Sequence, residues 1–175
     1  MNIPFRYLEC NNVEIISKKL LYIFDTFHKI SAIKNGSCWF SLEEIKTHCP
    51  ELLEYMNIYN LKFKSGLCFV ISNTTNTNPH VDFTPGIRLN FPILNSKFAK
   101  TNCFEKVQDG LLIKSNTNVL PYYSVDIKNC KLIDYYILDK PLLFDPSYPH
   151  NIVLLKSNIT RIMLTIFLEN PPDTI

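Results

Sequence analysis

A long succession of short apolar segments, separated by turn residues, is the feature that most constrains how this chain can fold. From Leu61 onward, runs rich in aliphatic and aromatic residues recur at fairly regular spacing through the rest of the 175-residue sequence. Many short strands at such spacing predict an all-β sandwich or barrel, of which the jelly roll is one form. The predicted strands are 61–72, 79–83, 87–94, 102–107, 111–116, 122–127, 131–138, 141–145, 150–156 and 161–169.

Residues that favour turns lie between several of these segments. Glycine, proline, asparagine and serine interrupt strands because they adopt left-handed or fixed backbone conformations more readily than other residues. The turn signals are Asn35-Gly36-Ser37, ahead of the β-rich part, and then Pro85-Gly86, Asp109-Gly110, Asn116-Thr117-Asn118 and Ser157-Asn158.

The N-terminal part of the chain shows helical periodicity instead. Between residues 12 and 30 an apolar residue recurs every three or four positions, which predicts an amphipathic helix. Ser41 and Glu44 have the spacing of a capping box and predict a second helix. Pro50 is well placed to open a further short helix, since proline is favoured at the first helical position.

This change of pattern divides the chain into two parts of one domain. A length of 175 residues suits a single domain, and no linker or low-complexity segment interrupts it. We therefore predict a mainly β fold with N-terminal helices. Residues 1–60 would form a helical support against the outer face of a β core at residues 61–175.

Composition argues against several classes of protein. The formal charge is +2 with scattered lysines and arginines, so nucleic-acid binding is not favoured. No leader pattern and no apolar stretch of about 18 residues is present, which predicts no membrane span. The six cysteines form no C-x-x-C pair. We interpret them as free thiols of a cytoplasmic protein, with three disulfides as the alternative.

The most informative segment for function is Asn78-Pro79-His80-Val81-Asp82. Side chains alternate faces along a strand, so His80 and Asp82 would point to the same side. Two histidines and one carboxylate on one face form the facial triad of non-haem Fe(II) oxygenases, which leaves coordination positions open. A single His-x-Asp pair often arises by chance, so the prediction depends on a third ligand.

A third ligand and an anion-binding residue occur later in the chain. His150 begins one predicted strand, and Arg161 stands at the head of the next, whose other residues are mostly apolar. An arginine that points inward there requires an anion, because an unpaired buried charge is costly. A guanidinium binds a carboxylate bidentately, so a dicarboxylate cosubstrate would suit Arg161.

Taken together, these motifs resemble the 2-oxoglutarate/Fe(II)-dependent dioxygenase superfamily, in particular its small prolyl-hydroxylase-like and aspartyl/asparaginyl-hydroxylase-like branches. The resemblance covers about residues 78 to 169, where His-x-Asp, a strand-rich gap, a histidine and an arginine follow in order. It implies a double-stranded β-helix, which is a jelly-roll or cupin-like fold. Aspartyl hydroxylases tend to lack the acidic ligand that Asp82 would supply, so the branch stays open.

The resemblance also implies roles for individual residues. The implied ligands of Fe(II) are His80, Asp82 and His150. Arg161 is implied to bind the distal carboxylate of 2-oxoglutarate. The other residues implied to contact this cosubstrate are Arg88, Asn90 and Thr165. An exposed edge strand for Arg88 and core packing for Thr165 are the alternatives.

The activity implied is a hydroxylation that consumes 2-oxoglutarate and O₂ and releases succinate and CO₂. Halogenating relatives typically have a non-ligating residue at the acidic position, so Asp82 favours hydroxylation. The substrate would be an amino-acid residue of a peptide or protein, or a small molecule.

Two other interpretations remain open. A cupin-type metalloenzyme without 2-oxoglutarate would share the barrel, although such sites usually carry more histidines. The two spare histidines, His28 and His48, fall in the predicted helices, where we expect structural roles. The second is a non-catalytic binding module, which would have kept the fold of such enzymes but not their activity. The aromatic residues that would either line a substrate pocket or pack elsewhere are Trp39, Phe83, Tyr122 and Tyr123.

Overall fold

The helices lie where the sequence predicts them. The computed structural model describes residues 3–29, 33, 35–72, 77–82, 84, 86–107, 112–115 and 122–175. Its helices are α1 (Val13–His28), α2 (Leu42–His48) and α3 (Pro50–Ile58). The predicted capping box is confirmed, because the Glu44 N–H donates to Ser41 Oγ and the Ser41 N–H donates to the Glu44 carboxylate. Within these ranges, no helix combines the length and apolar character that crossing a bilayer requires.

Strands in the described part of the chain form two six-stranded sheets with antiparallel pairing throughout. They are β1 Phe5–Tyr7, β2 Asn35–Phe40, β3 Phe63–Ser72, β4 His80–Asp82, β5 Arg88–Leu94, β6 Ala99–Phe104, β7 Ile113–Ser115, β8 Tyr122–Ser124, β9 Leu132–Ile137, β10 Leu142–Phe144, β11 His150–Leu154 and β12 Thr160–Leu168. The major sheet has the order β1-β10-β5-β12-β3-β2, and the minor sheet the order β7-β8-β4-β11-β6-β9.

Ten of these strands overlap the ten predicted ones, but β6 begins three residues before its predicted range of 102–107, and β1 and β2 were not predicted. The prediction that Asn35-Gly36-Ser37 forms a turn is wrong, since these residues begin β2 and Asn35 pairs with Ile71. Pairing with a neighbouring strand outweighs the local preference for a turn. β1 is too short to show alternation. The predicted turns at 109–110 and 116–118 lie outside the described residues.

Both unpredicted strands complete the edges of the major sheet. β1 pairs with β10, and β2 pairs with β3. The first 60 residues therefore supply sheet edges as well as helices. We propose that residues 1–175 form one domain, in which the boundary near residue 60 marks a change of sequence pattern between two parts that fold together.

The central strand β12 separates a helix-facing layer from an interior face. Its even-numbered residues Ile162, Leu164 and Ile166 are buried in the large apolar cluster that includes the helices. At the odd-numbered positions, Met163 belongs instead to a second apolar cluster, which includes Tyr136 of the minor sheet. Because residues alternate along a strand, Arg161 and Thr165 share the interior face with Met163. The candidate site lies on this face, between the sheets.

Candidate active site

The three predicted metal ligands meet at two paired strands of the minor sheet. His80 and Asp82 lie on β4, and the pairing register places His80 opposite His150 at the start of β11. The imidazole centroids are 4.4 Å apart, and His80 Nε2 lies 3.7 Å from Asp82 Oδ1. One potential ligand atom from each of the three residues lies within 4.8 Å of the others. In the part of the chain that the structure describes, this is the one such group of three.

A metal ion would draw the three ligand atoms of this cluster closer together. With metal–nitrogen bonds of about 2.1 Å, ligands on opposite sides of an ion stand about 4.2 Å apart, and neighbouring ligands of a facial set stand about 3 Å apart. From the observed limit of 4.8 Å, metal binding therefore requires a contraction of up to about 1.8 Å. Two imidazoles and a carboxylate are also the donor set of the non-haem iron facial triad.

Backbone carbonyls orient both imidazoles. His80 Nδ1 lies 2.9 Å from the Asn78 carbonyl oxygen, and His150 Nδ1 lies 3.0 Å from that of Tyr148. A carbonyl oxygen only accepts, so each Nδ1 carries the hydrogen and Nε2 keeps its lone pair. Metal-binding histidines are typically held in this way. Burial, reinforced by the nearby His80, lowers the pKa of His150 to about 4, so this ring is neutral at neutral pH.

Arg88 holds the Asp82 carboxylate from the opposite sheet. Its Nη1 donates to Asp82 Oδ2 at 2.6 Å, and its Nη2 donates to the Thr84 carbonyl oxygen at 2.7 Å. The guanidinium also lies 4.7 Å from the ring centroid of Phe167. The second carboxylate oxygen, Oδ1, is the one that faces His80. Asp82 is thus arranged to offer one oxygen to a metal while the other is bound to Arg88.

The Arg88 charge also keeps Asp82 ionised. Burial alone would raise the pKa of Asp82, but His150, Arg88 and His80 outweigh burial and lower it below the usual value. Because His150 is neutral at neutral pH, the permanent charge in this set is that of Arg88. Arg88 is 2% exposed on an inner strand, so the alternative of an exposed edge position is wrong. Its predicted contact with 2-oxoglutarate stays a prediction.

Arg161 is buried without a protein acceptor for two of its nitrogens. The residue is 1% exposed, and its Nε and Nη1 have no hydrogen-bond partner among the described residues. Burial lowers its pKa to about 10, which still leaves it charged at neutral pH. A buried guanidinium without acceptors is costly. The group therefore fits a carboxylate ligand, which would supply two parallel acceptors.

Asn90 and Thr165 lie on the same interior face. Thr165 Oγ1 donates to Asn90 Oδ1 at 2.9 Å, and Asn90 Nδ2 donates to the Tyr136 hydroxyl at 3.4 Å. All three residues are buried, and Tyr136 lies close enough to Arg161 for an electrostatic interaction. Burial raises the pKa of Tyr136, so its hydroxyl stays protonated. Tyr136 was not predicted as a site residue, because strand alternation shows that it and Tyr135 face opposite sides of β9 but not which side is the interior.

A cavity of about 680 Å³ adjoins the metal cluster. Its lining includes the three candidate ligands together with Arg88, Asn90 and Thr165. Arg161 is not part of the described lining, whereas Met163 and Thr165, which follow on the same face of β12, are. The volume falls within the range of about 300–1,000 Å³ found for ligand pockets. It is large enough for a small dicarboxylate and a second molecule.

The candidate aromatic residues divide between the cavity and other surfaces. Tyr122 lines the cavity, and its ring lies edge-on to His80 with centroids 5.3 Å apart. Trp39 is 48% exposed and packs against Phe167, and Tyr123 is not among the described lining residues. Phe83 lies outside the described residues. Of the three that the structure describes, Tyr122 is therefore the one at the site.

The two remaining histidines support the helical layer. His28 Nε2 lies 2.8 Å from a Glu44 carboxylate oxygen, which ties α1 to α2. The His48 ring packs against Phe27 at a centroid distance of 4.9 Å. Neither histidine is part of the metal cluster or of the described cavity lining.

Known structures share this architecture, although the sequence alone finds no relative. No protein-family model matches the chain, and no curated protein matches its sequence. A prolyl-4-hydroxylase from Pseudomonas putida superposes with a TM-score of 0.55 at 9% identity, over 97% of this chain and 94% of that one. EvdO2 from Micromonospora carbonacea var. aurantiaca, solved as a complex with 2-oxoglutarate, gives 0.56 at 12% identity over 98% and 88% of the two chains.

A further structural neighbour is SnoK, a non-haem α-ketoglutarate-dependent carbocyclase from nogalamycin biosynthesis. It superposes with a TM-score of 0.53 at 9% identity over 94% of this chain and 79% of that one. Similarity of this extent, at such low identity, is similarity of fold. The two opposed antiparallel sheets confirm the predicted mainly β architecture with N-terminal helices. This chain therefore has the double-stranded β-helix fold of the 2-oxoglutarate-dependent oxygenases.

Proposed function

We propose that this protein is an Fe(II)- and 2-oxoglutarate-dependent oxygenase that hydroxylates its substrate. The proposal rests on one observation: a His–Asp–His group and a buried, partly unpaired arginine both lie between the two sheets. The three ligand atoms lie within 4.8 Å, and Arg161 lacks acceptors for two nitrogens. Either feature alone would fit several kinds of site. Together they fit a metal and a dicarboxylate.

Each residue of the site would have a defined task. His80, Asp82 and His150 would hold Fe(II) on one face and leave the other positions for 2-oxoglutarate and O₂. Arg161 would bind the distal carboxylate, and Thr165, further along the same face of β12, would add a hydroxyl contact with the cosubstrate. Iron, 2-oxoglutarate and O₂ would supply the oxidising chemistry, while the protein would orient the reactants and exclude water. Retention of Asp82 as a ligand favours hydroxylation over halogenation.

The charges of the site also favour a dianionic cosubstrate. Asp82 and Arg88 form an ion pair at 2.6 Å and cancel each other. A divalent metal ion would therefore leave the cavity strongly positive, and Arg161 adds a further charge on the same interior face. Clefts with one sign of charge concentrate ligands of the opposite sign. A molecule with a carboxylate at each end would neutralise both centres.

The residues that line the cavity favour an uncharged substrate. Outside the ion pair and the histidines, the described lining carries amides and hydroxyls but no further charged side chain, for example Asn35, Ser37, Asn78 and Ser124. We propose a small molecule or the side chain of a peptide or protein as the substrate.

All six cysteines are free, which supports a cytoplasmic location.

Anaerobic titration of the metal-free protein with Fe(II), and then with 2-oxoglutarate, tests the proposed function. We expect a visible charge-transfer band on addition of 2-oxoglutarate, and succinate formation once O₂ is admitted. The His80→Ala variant should lose both, whereas His28→Ala, which alters a histidine of the helical layer, should keep both. Iron binding without the band would favour a cupin-type enzyme. No metal binding would contradict the proposal and favour a binding module.

Loss of Arg88 is expected to destabilise the metal-free protein. Arg88→Met would leave the Asp82 carboxylate without its cation, which costs about 3 kcal/mol for a largely buried pair. At about 2–4 °C per kcal/mol, the Tm should fall by roughly 6–12 °C. Mn(II) should then raise the Tm more in Arg88→Met than in the parent, because the metal replaces the missing charge. The control is Arg6→Met on the exposed side of β1, and an equal response to Mn(II) in all three proteins would contradict this role.

A further inference from the structure

Both candidate metal-binding histidines follow a proline. The two triplets are Asn78-Pro79-His80 and Tyr148-Pro149-His150. In each, the imidazole Nδ1 lies 2.9 or 3.0 Å from the carbonyl oxygen of the residue before the proline. The same sequence pattern therefore makes the same hydrogen bond twice. The other two histidines of the chain, His28 and His48, follow Phe27 and Thr47 and lie outside the cluster.

Proline restricts the path between the accepting carbonyl and the imidazole. Its ring fixes its own φ near −65°, and its Cδ keeps the preceding residue in an extended conformation. In both triplets the restricted residues are the two that precede the histidine. The carbonyl of Asn78 or Tyr148 is thus directed before any metal arrives.

Each proline is in turn fixed to a neighbouring segment. The Pro79 carbonyl accepts a hydrogen bond from the Val125 N–H at 2.9 Å, and the Pro149 carbonyl accepts one from the Phe104 N–H at 2.8 Å. Because proline has no N–H, it makes this connection through its carbonyl alone. Both triplets are consequently held at the end that precedes the histidine.

The two triplets are related by the strand pairing. His80 and His150 are direct partners in antiparallel strands, and an antiparallel pair has local two-fold symmetry at such a position. The symmetry brings the imidazoles together from opposite strands, with centroids 4.4 Å apart. Each Nδ1 is directed back to its own chain, which leaves each Nε2 available to a shared ion.

We infer that Pro79 and Pro149 are a matched pair of positioning residues that fix the Nδ1–H form and the orientation of the two histidines before metal binding. The inference rests on the proposed function in taking His80 and His150 as metal ligands. Neither proline contacts the metal or the substrate in this role. Each acts through the histidine that follows it.

The test compares Pro79→Ala, Pro149→Ala and the double variant with the parent protein. Each alanine should lower the affinity for Mn(II), measured by calorimetry, by about 2- to 5-fold, the range that one proline's conformational restriction accounts for. The double variant should approach the product of the two effects, since each proline acts on a separate ligand. Thermal denaturation of the same samples measures any general loss of stability.

A matched control separates positioning from a general effect of removing a proline. Pro141 also directly precedes a strand, and its carbonyl accepts a hydrogen bond from the Leu8 N–H at 2.8 Å, but no histidine follows it. Pro141→Ala should leave the affinity for Mn(II) unchanged. An equal loss of affinity in Pro141→Ala, or none in the other variants, would overturn the inference.

A spectroscopic measurement on the metal-free protein decides the inference independently of metal binding. Nitrogen-15 correlation spectra of labelled histidine, recorded at mildly alkaline pH, show which ring nitrogen carries the proton. We expect His80 and His150 to be Nδ1–H in the parent, and each alanine variant to populate the other form at its own histidine only. Unchanged forms in both variants would contradict the inference. Absence of Mn(II) binding by the parent would instead contradict the proposed function.

Discussion

Asp82→Asn is expected to lose metal-dependent turnover and to bind Mn(II) at least roughly 100-fold more weakly than the parent protein, since even changes beyond the ligands typically cost 10- to 100-fold. The amide removes the negative charge that the metal requires. Its oxygen can still accept the hydrogen bond that Arg88 gives to Asp82 Oδ2 in the parent. The variant therefore removes the ligand charge while it keeps the local contact. Calorimetry with Mn(II) and an assay of succinate formation are the measurements.

Asp134→Asn is the control for this experiment. Asp134 lies on β9 of the same minor sheet and accepts a hydrogen bond from the Tyr135 N–H, away from the described cavity lining. Its replacement should leave Mn(II) affinity and turnover unchanged. Equal Mn(II) affinity in Asp82→Asn and the parent would remove Asp82 from the metal site.

Arg161→Met is expected to weaken 2-oxoglutarate binding by about 30-fold or more, because truncation of one partner in a buried charge pair costs about 2–5 kcal/mol. The affinity for Mn(II) should stay within about 2-fold of the parent, since binding of the metal alone requires no distal carboxylate. Calorimetry with 2-oxoglutarate on the Mn(II)-loaded protein measures the first effect. Equal losses for metal and cosubstrate would indicate a purely structural role for Arg161.

The same substitution should stabilise the protein in the absence of ligand. Methionine fills much of the space of the arginine side chain and removes a buried charge whose Nε and Nη1 have no partner in the described structure. Replacement of buried charges by apolar residues of similar volume is often stabilising by about 1–4 kcal/mol. The Tm should therefore rise, whereas Arg6→Met at the surface should change it little. A fall in the Tm of Arg161→Met would mean that Arg161 has a stabilising partner.

The positions that could be predicted from the sequence are those set by strand periodicity. A spacing of two residues places His80 and Asp82 on one face, and a single arginine in an apolar strand predicts that Arg161 is buried. His150 could be predicted as a third ligand because it begins a strand and the motif order is specific. These inferences need only the direction of side chains along one strand.

Contacts between the sheets could not be predicted in this way. Arg88 lies six residues from Asp82 in sequence but in the opposite sheet, so their ion pair depends on how the two sheets face each other. The same holds for Tyr136, which meets Asn90 across the interior. β2 was missed for a related reason, since its glycine-containing start becomes a strand only when β3 lies beside it.

The position of β12 in the chain affects the order in which the fold can assemble. β12 follows all the other strands in sequence, yet it lies between β5 and β3 in the major sheet. During synthesis, β1, β10 and β5 can therefore pair with one another, and so can β3 and β2, but the two groups cannot join until β12 has left the ribosome. Non-local pairing of this kind slows folding. The strand that carries Arg161 would thus also complete the sheet, so a chain interrupted before β12 should lack both the joined major sheet and the cosubstrate arginine.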